Sequence, residues 1–186
     1  MKAEVQQLLS QKQRGILELW FDRVVATYPP ETVRLLKKER NPFANPVGST
    51  LRKGLEGVLQ AFLVDPGLES AATWLDRVVR IRAVQDFSPS AAVAFTFQLK
   101  DVIRTVCAEE IRDQRVTADH LFALDARIDR LALLGFDIYT ACREKIHEIR
   151  VTEVKHRTHR LLERANMVWD RSEREADLEN GNTLTP

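Results

Sequence analysis

The sequence predicts an all-α fold, on three observations. Apolar residues recur at steps of three and four along most of the 186 residues, as one face of an α-helix requires. No stretch alternates apolar and polar residues over a strand's length between turn signals. Prolines, asparagines and serines stand where helices start or stop. About six helices are expected, the last of them long.

The first helix is expected over residues 3–27, with Val5, Leu8, Leu9, Ile16, Leu19, Trp20, Val24 and Val25 largely on one face. Pro29 and Pro30 end it, because proline removes a donor and disfavours helix in the residue before it. A short helix follows from about Glu31 to Arg40, with Pro30 at or near its first position. The segment Asn41–Gly48 holds two prolines and two asparagines and reads as turns. Asn45 is a good N-cap and Pro46 a good first residue for a third helix over 46–64. Val47, Leu51, Leu55, Val58, Leu59 and Phe62 form its inner side. Gly48, Gly54 and Gly57 each weaken that helix by up to about 1 kcal/mol against alanine. Their clustering implies either close packing on a neighbour or a loosely held segment.

Asp65-Pro66-Gly67 is a turn, and a fourth helix is expected from Leu68 to Val84 with Ala72, Leu75, Val78, Val79 and Ala83 inward. Ser88 and Pro89 repeat the cap-then-proline signal and open a fifth, buried along Ala91, Phe95, Leu99, Val102, Ile103 and Val106. Thr117 or Asp119 can cap the last helix, which is expected to run unbroken to about Asp170. At the usual rise this is roughly 75 Å, longer than a domain of this size can bury, so its far half should project.

The apolar stripe of this helix changes phase. Leu124, Ile128, Leu131, Leu134, Ile138, Cys142, Ile146 and Ile149 suit a bundle. Val151, Val154, Thr158, Leu161, Ala165 and Val168 then repeat in steps of three and four on a rotated face, amid Arg150, Glu153, Lys155, Arg157, Arg160, Glu163 and Arg164. The pattern is that of a short coiled-coil seam, and a lone helix of this kind is marginal in water. A homodimer paired through the seam is therefore expected, against the alternatives of a helix folded back on its own domain or a frayed end. The organisation expected is a helical bundle over 1–150, a coiled-coil-like extension over 151–172 and a disordered tail over 173–186.

Composition narrows the function. Hydrophobic residues make up 44% and charged residues 30%, enough apolar surface for a real core. A formal net charge of +1 gives no field to draw the chain onto nucleic acid or an anionic membrane, and the small cationic excess between Lys145 and Arg164 is too weak to argue otherwise. No apolar run approaches the roughly 18 residues of a membrane span, and the polar N-terminus lacks a signal-peptide core. A cytoplasmic protein is expected. Cys107 and Cys142 lie far apart and read as small buried residues in a reducing compartment.

Chemistry-bearing patterns are few. Glu144 with His147 and Glu153 with His156 match the E-x-x-H spacing of di-iron bundles, but both sit on one helix. Nine residues apart, they face opposite sides and cannot share a metal. His156 and His159, three apart, could chelate a stray divalent ion. No histidine is well placed for haem, since His120 falls at an expected helix start and the others on the polar extension. No phosphate-binding glycine loop occurs, and nothing supplies a base to Cys107, Cys142 or Ser88. No enzyme, metal or cofactor is expected. The block Arg77–Ser90 is the most unusual. Arg80 and Arg82 cannot share a helix face, so one turns toward the core or a cleft. With Asp86, Lys100 and Arg104 they could form a cationic cleft for an anion or an acidic partner. The simpler reading is a structural corner held by an Asp–Arg pair.

Trp20, the run Arg40-Asn41-Pro42-Phe43-Ala44-Asn45-Pro46-Val47-Gly48, the run Arg82-Ala83-Val84-Gln85-Asp86-Phe87-Ser88-Pro89-Ser90, and Lys100 resemble the RsbRD N-terminal domain family, over about residues 5–150. The resemblance implies a globin-like helical bundle without haem, usually dimeric, serving as the sensor domain of stressosome-type co-antagonists that regulate an anti-sigma-factor switch kinase. In that family a long final helix relays the signal to a C-terminal STAS domain. This sequence ends at Pro186, and the expectation is a stand-alone form. Stand-alone relatives occur in sulfate- and sulfite-reducing bacteria near genes for sulfite-reduction redox complexes. Three functions are therefore weighed: a signal-transduction or adaptor module with an unidentified protein partner, a metal- or haem-binding helical protein, and an assembly or regulatory factor for such a redox complex.

Overall fold

The computed structural model of the protein describes residues 3–38 and 43–164. They are all-α: α1 (Ala3–Gln11), α2 (Gln13–Val25), α3 (Pro30–Lys38), α4 (Pro46–Val64), a 3-10 turn (Glu69–Ala71), α5 (Ala72–Val84), α6 (Pro89–Val106), α7 (Ala108–Arg112) and α8 (Ala118–Arg164). The chain divides into two compact units, one ending at Glu144 and one beginning at Lys145.

The two cap-and-proline signals hold as read. Asn45 Oδ1 accepts from Gly48 N at 2.9 Å and Ser88 Oγ from Ala91 N at 3.3 Å, each with proline at the first helical position. The expected first helix is broken at Lys12. The polar run there offers the core nothing, Ser10 Oγ bonds back to Gln6 O at 2.8 Å, and such back-bonding bends helices. Lys12 itself turns aside, its Nζ lying 3.1 Å from Val106 O and 2.7 Å from the Glu110 carboxylate. That carboxylate belongs to α7, a helix the periodicity did not predict. The fourth helix also begins later than expected, because Leu68 takes a left-handed conformation (φ 69) and a 3-10 turn intervenes.

The core lies in the first unit. α4 packs chiefly on α5, and α2 on α6. Trp20, Phe21, Phe62 and Phe95 are sealed among aliphatic residues. Trp20 stacks on Phe95 with ring centres 6.0 Å apart, and its Nε1 donates to Phe95 O at 2.7 Å. Of the two readings of the α4 glycines, close packing is the observed one. A Cβ on Gly57 would meet the Trp74 ring at 2.1 Å, and one on Gly54 would meet Val78 Cγ2 at 2.5 Å.

The first half of α8 covers this body through Leu124, Ile128, Leu131, Ala132, Gly135 and Tyr139, all buried. Its start follows Thr117, where the His120 ring accepts from Thr117 N at 3.2 Å, half of a capping box. In the second unit every residue from His147 to Arg164 is exposed. The expected continuation of α8 to Asp170, the seam positions Ala165 and Val168, the tail, and Arg40, Asn41 and Pro42 lie outside the described residues.

Candidate functional site

The site grows from the end of α5. Asp86 takes a left-handed conformation (φ 58), which a short polar side chain tolerates better than most. The chain then reverses and Phe87 N bonds to Arg82 O at 3.2 Å, the six-residue closure of a Schellman turn. This turn aims α6 back across the body and leaves two groups facing α8. Arg143 on α8 donates to both, to Ala83 O at 3.2 Å and to Asp86 Oδ1 at 2.9 Å. One turn earlier, the Tyr139 hydroxyl donates to Phe87 O at 2.6 Å. The corner is therefore held by an Asp–Arg pair whose arginine comes from a distant helix. Its Asp86 hydrogen bond raises the Arg143 pKa.

Beneath the corner lies Arg82, 1% exposed. Its Nη2 donates to Thr27 Oγ1 at 3.1 Å and Ala91 O at 3.0 Å. The guanidinium carbon stands 4.3, 5.5 and 5.9 Å from the ring centres of Phe87, Tyr28 and Phe95. Among the described residues no carboxylate reaches it, and its Nε and Nη1 find no acceptor. Burial pushes its pKa down, opposed by the neighbouring Tyr28, and burial pushes the Tyr28 hydroxyl up. The charge is held instead by aromatic faces, the Thr27 hydroxyl and the Ala91 carbonyl in the first turn of α6.

The five residues expected to form one cationic cleft are dispersed. Arg80 forks onto Asp76 at 2.8 and 3.2 Å and lines a cleft of about 430 Å³ between α4 and α5 with Val47, Ile81 and Val84. Arg82 and Asp86 belong to the corner. Lys100 pairs with Asp129 and Arg104 with Asp125, each at 2.6 Å, tying α6 to α8. Each charged pair is satisfied locally, so no common field gathers them. A second buried arginine escaped the sequence reading. Arg127 donates to Phe62 O and Asp65 O, both at 2.7 Å, satisfying carbonyls left open at the end of α4.

Two clefts adjoin the corner. One, of about 360 Å³, is lined by Pro89, Phe136, Tyr139, Thr140, Arg143 and Glu144. The other, of about 570 Å³, is almost wholly apolar and runs between α6 and α8 past Val93, Phe97, Leu133 and Phe136. Cys107 and Cys142 are buried free thiols, and burial raises the Cys107 pKa. Glu144, His147, Glu153, His156 and His159 are all exposed, and His159 pairs with Glu163 at 3.1 Å. Among the described residues no group of three metal-ligating side chains converges, and no helix is long and apolar enough to cross a membrane.

An uncharacterized protein of Archaeoglobus fulgidus is 24% identical over 144 residues, covering 76% of this chain and 83% of the relative. No solved structure matches. The family model of the RsbT co-antagonist protein rsbRD N-terminal domain matches residues 14–154, a span that holds the corner, the Arg82 niche and both clefts. The family is one of stressosome-type signalling domains, and this chain belongs to it.

Proposed function

We propose that this protein is a non-catalytic signal-transduction module that works by protein contact, pairing with a second copy through the α6–α8 face and carrying a separate docking stripe on residues 151–161. The observation that carries the proposal is the apolar surface left open beside the corner. Phe97, Leu133 and Phe136 are 47, 67 and 49% exposed and share one cleft with Val93 and Pro89, an exposed cluster of the kind that marks interaction surfaces. Family membership supports the signalling role. The globin-like arrangement and the dimeric habit are carried over from the family resemblance.

The face is well placed to be read out. Phe136 and Pro89 line both clefts, and Tyr139 and Arg143, which hold the α5–α6 corner, line the smaller one. A partner seated against Phe136 would bear on residues hydrogen-bonded to the end of α5. The same helix continues through the stripe Val151, Val154, Thr158 and Leu161. The test is light scattering of the full chain beside Leu133→Glu and Leu161→Glu. Wild type and Leu161→Glu should have the mass of a dimer, and Leu133→Glu that of a monomer with unchanged helicity. A monomeric wild type at tens of micromolar would remove the pairing.

A further inference from the structure

Residues 145–164 present a surface whose charges choose its partner. Val151, Val154 and Leu161 are 37, 62 and 65% exposed. With Thr158 they fall within an arc of about 80° at the usual helical turn. Along one edge of this arc Arg150, Arg157 and Arg164 recur every seven residues, one per heptad. Arg157, Arg160 and Arg164 enclose Leu161 in a shallow depression of about 280 Å³. The opposite edge carries Lys155 and Leu162, preceded one heptad earlier by Glu148, which is already paired with Lys145. Near the arginine edge stands one acid, Glu153, and it is already paired with Arg157 one turn away. Across residues 145–164, six lysines and arginines face three glutamates.

With the stripe in the two core positions of a heptad, those arginines occupy the position that flanks the seam. A second copy fits poorly. Side by side in parallel, Arg150 would face the other copy's Lys155, and Arg157 its Leu162. In antiparallel order, arginine would face arginine. Either arrangement sets like charges together or leaves them unpaired, while carboxylates at the same places would give charge-assisted bonds.

We propose that this stripe is a docking strip for an acidic amphipathic helix of another protein, with apolar residues in steps of three and four and glutamates or aspartates beside them. The proposal rests on the reading that the chain works by protein contact. It replaces the self-paired seam expected from sequence periodicity. A membrane surface or a nucleic acid fits less well. The apolar arc is narrow and interrupted by Thr158, and residues 145–164 contain no Phe, Tyr or Trp to enter a bilayer or stack on bases.

Two synthetic helical peptides test this on the full chain. Both carry the same valine–leucine seam, one flanked by glutamate and the other by lysine. The acidic peptide should bind roughly tenfold or more tightly than the basic one, and the preference should shrink as salt rises from about 0.05 M to about 0.5 M. Replacing Arg150, Arg157 and Arg164 together by glutamate should invert the preference and allow the variant to pair with the wild-type chain. Leu161→Glu should abolish binding of both peptides, with helicity checked by circular dichroism. Equal binding of both peptides, lost in Leu161→Glu, overturns the acidic-partner proposal and leaves the stripe as a contact surface. Binding of neither peptide removes the stripe altogether, while the α6–α8 face stands or falls by its own mass measurement. Salt-sensitive binding to phosphatidylserine vesicles or duplex DNA, with no response to the acidic peptide, would also overturn it.

Discussion

The Arg82 guanidinium carbon lies 4.3 Å above the centre of the Phe87 ring, five residues further along the chain, and no carboxylate among the described residues meets it. A buried cation held only by rings and two neutral acceptors adds little net stability, because its desolvation offsets most of what it gains. Arg82→Met keeps the volume and removes that desolvation. It should leave urea-unfolding stability within about 1.5 kcal/mol of wild type. Arg82→Ala leaves a cavity and should lose about 2–5 kcal/mol.

Arg127 gives the opposite result. Its guanidinium donates to both Phe62 O and Asp65 O at the end of α4, so Arg127→Met strands two carbonyls. A loss of about 1–3 kcal/mol is expected in the same assay. Equal effects of the two methionine substitutions would contradict the distinction between a capping arginine and a caged one.

Gly57→Ala sets two effects against each other. Alanine favours the helix by up to about 1 kcal/mol. Its methyl would enter the Trp74 ring at 2.1 Å, and the ring, stacked under Arg77, must shift. Overpacking should win by about 1–3 kcal/mol, read as a lower melting temperature.

The turn after α4 should respond to acid. Asp65 accepts from Ser70 N at 2.8 Å, Ser70 Oγ at 2.7 Å and Gly67 N at 3.0 Å. These bonds, those of Ser70 foremost, hold its pKa down to about 2 from an ordinary 3.8. A depressed carboxylate pKa contributes stability that is full above the unfolded value and is lost as pH falls through the folded one. Its contribution should therefore fade between about pH 4 and pH 2. Asp65→Asn should be less stable at neutral pH and show a flatter decline over that interval in acid titrations followed by circular dichroism.

What the sequence disclosed depended on how local the chemistry was. Asn45 with Pro46 and Ser88 with Pro89 act within three residues of themselves, so both helix starts were legible. Arg82 was legible as a residue that must leave the face of Arg80, since two residues turn a helix by about 200°. The bonds that build the corner, from Tyr139 and Arg143, and those by which Arg127 closes α4 span 52 to 65 residues, and no short-range pattern announces them. A longer separation hid α7, too short for periodicity and anchored by Lys12 from near the N-terminus. The supposed cationic cleft failed because Asp76, Asp125 and Asp129 each claim one of its members.

The stacking of Trp20 on Phe95 has a practical result. Arg82 sits 5.9 Å from that same Phe95 ring, so a full positive charge stands close to an indole sealed from water. Indole emission shifts with the electric field across the ring. Any event that moves the α5–α6 corner alters that field, and the protein thereby carries its own optical gauge of the state of its core.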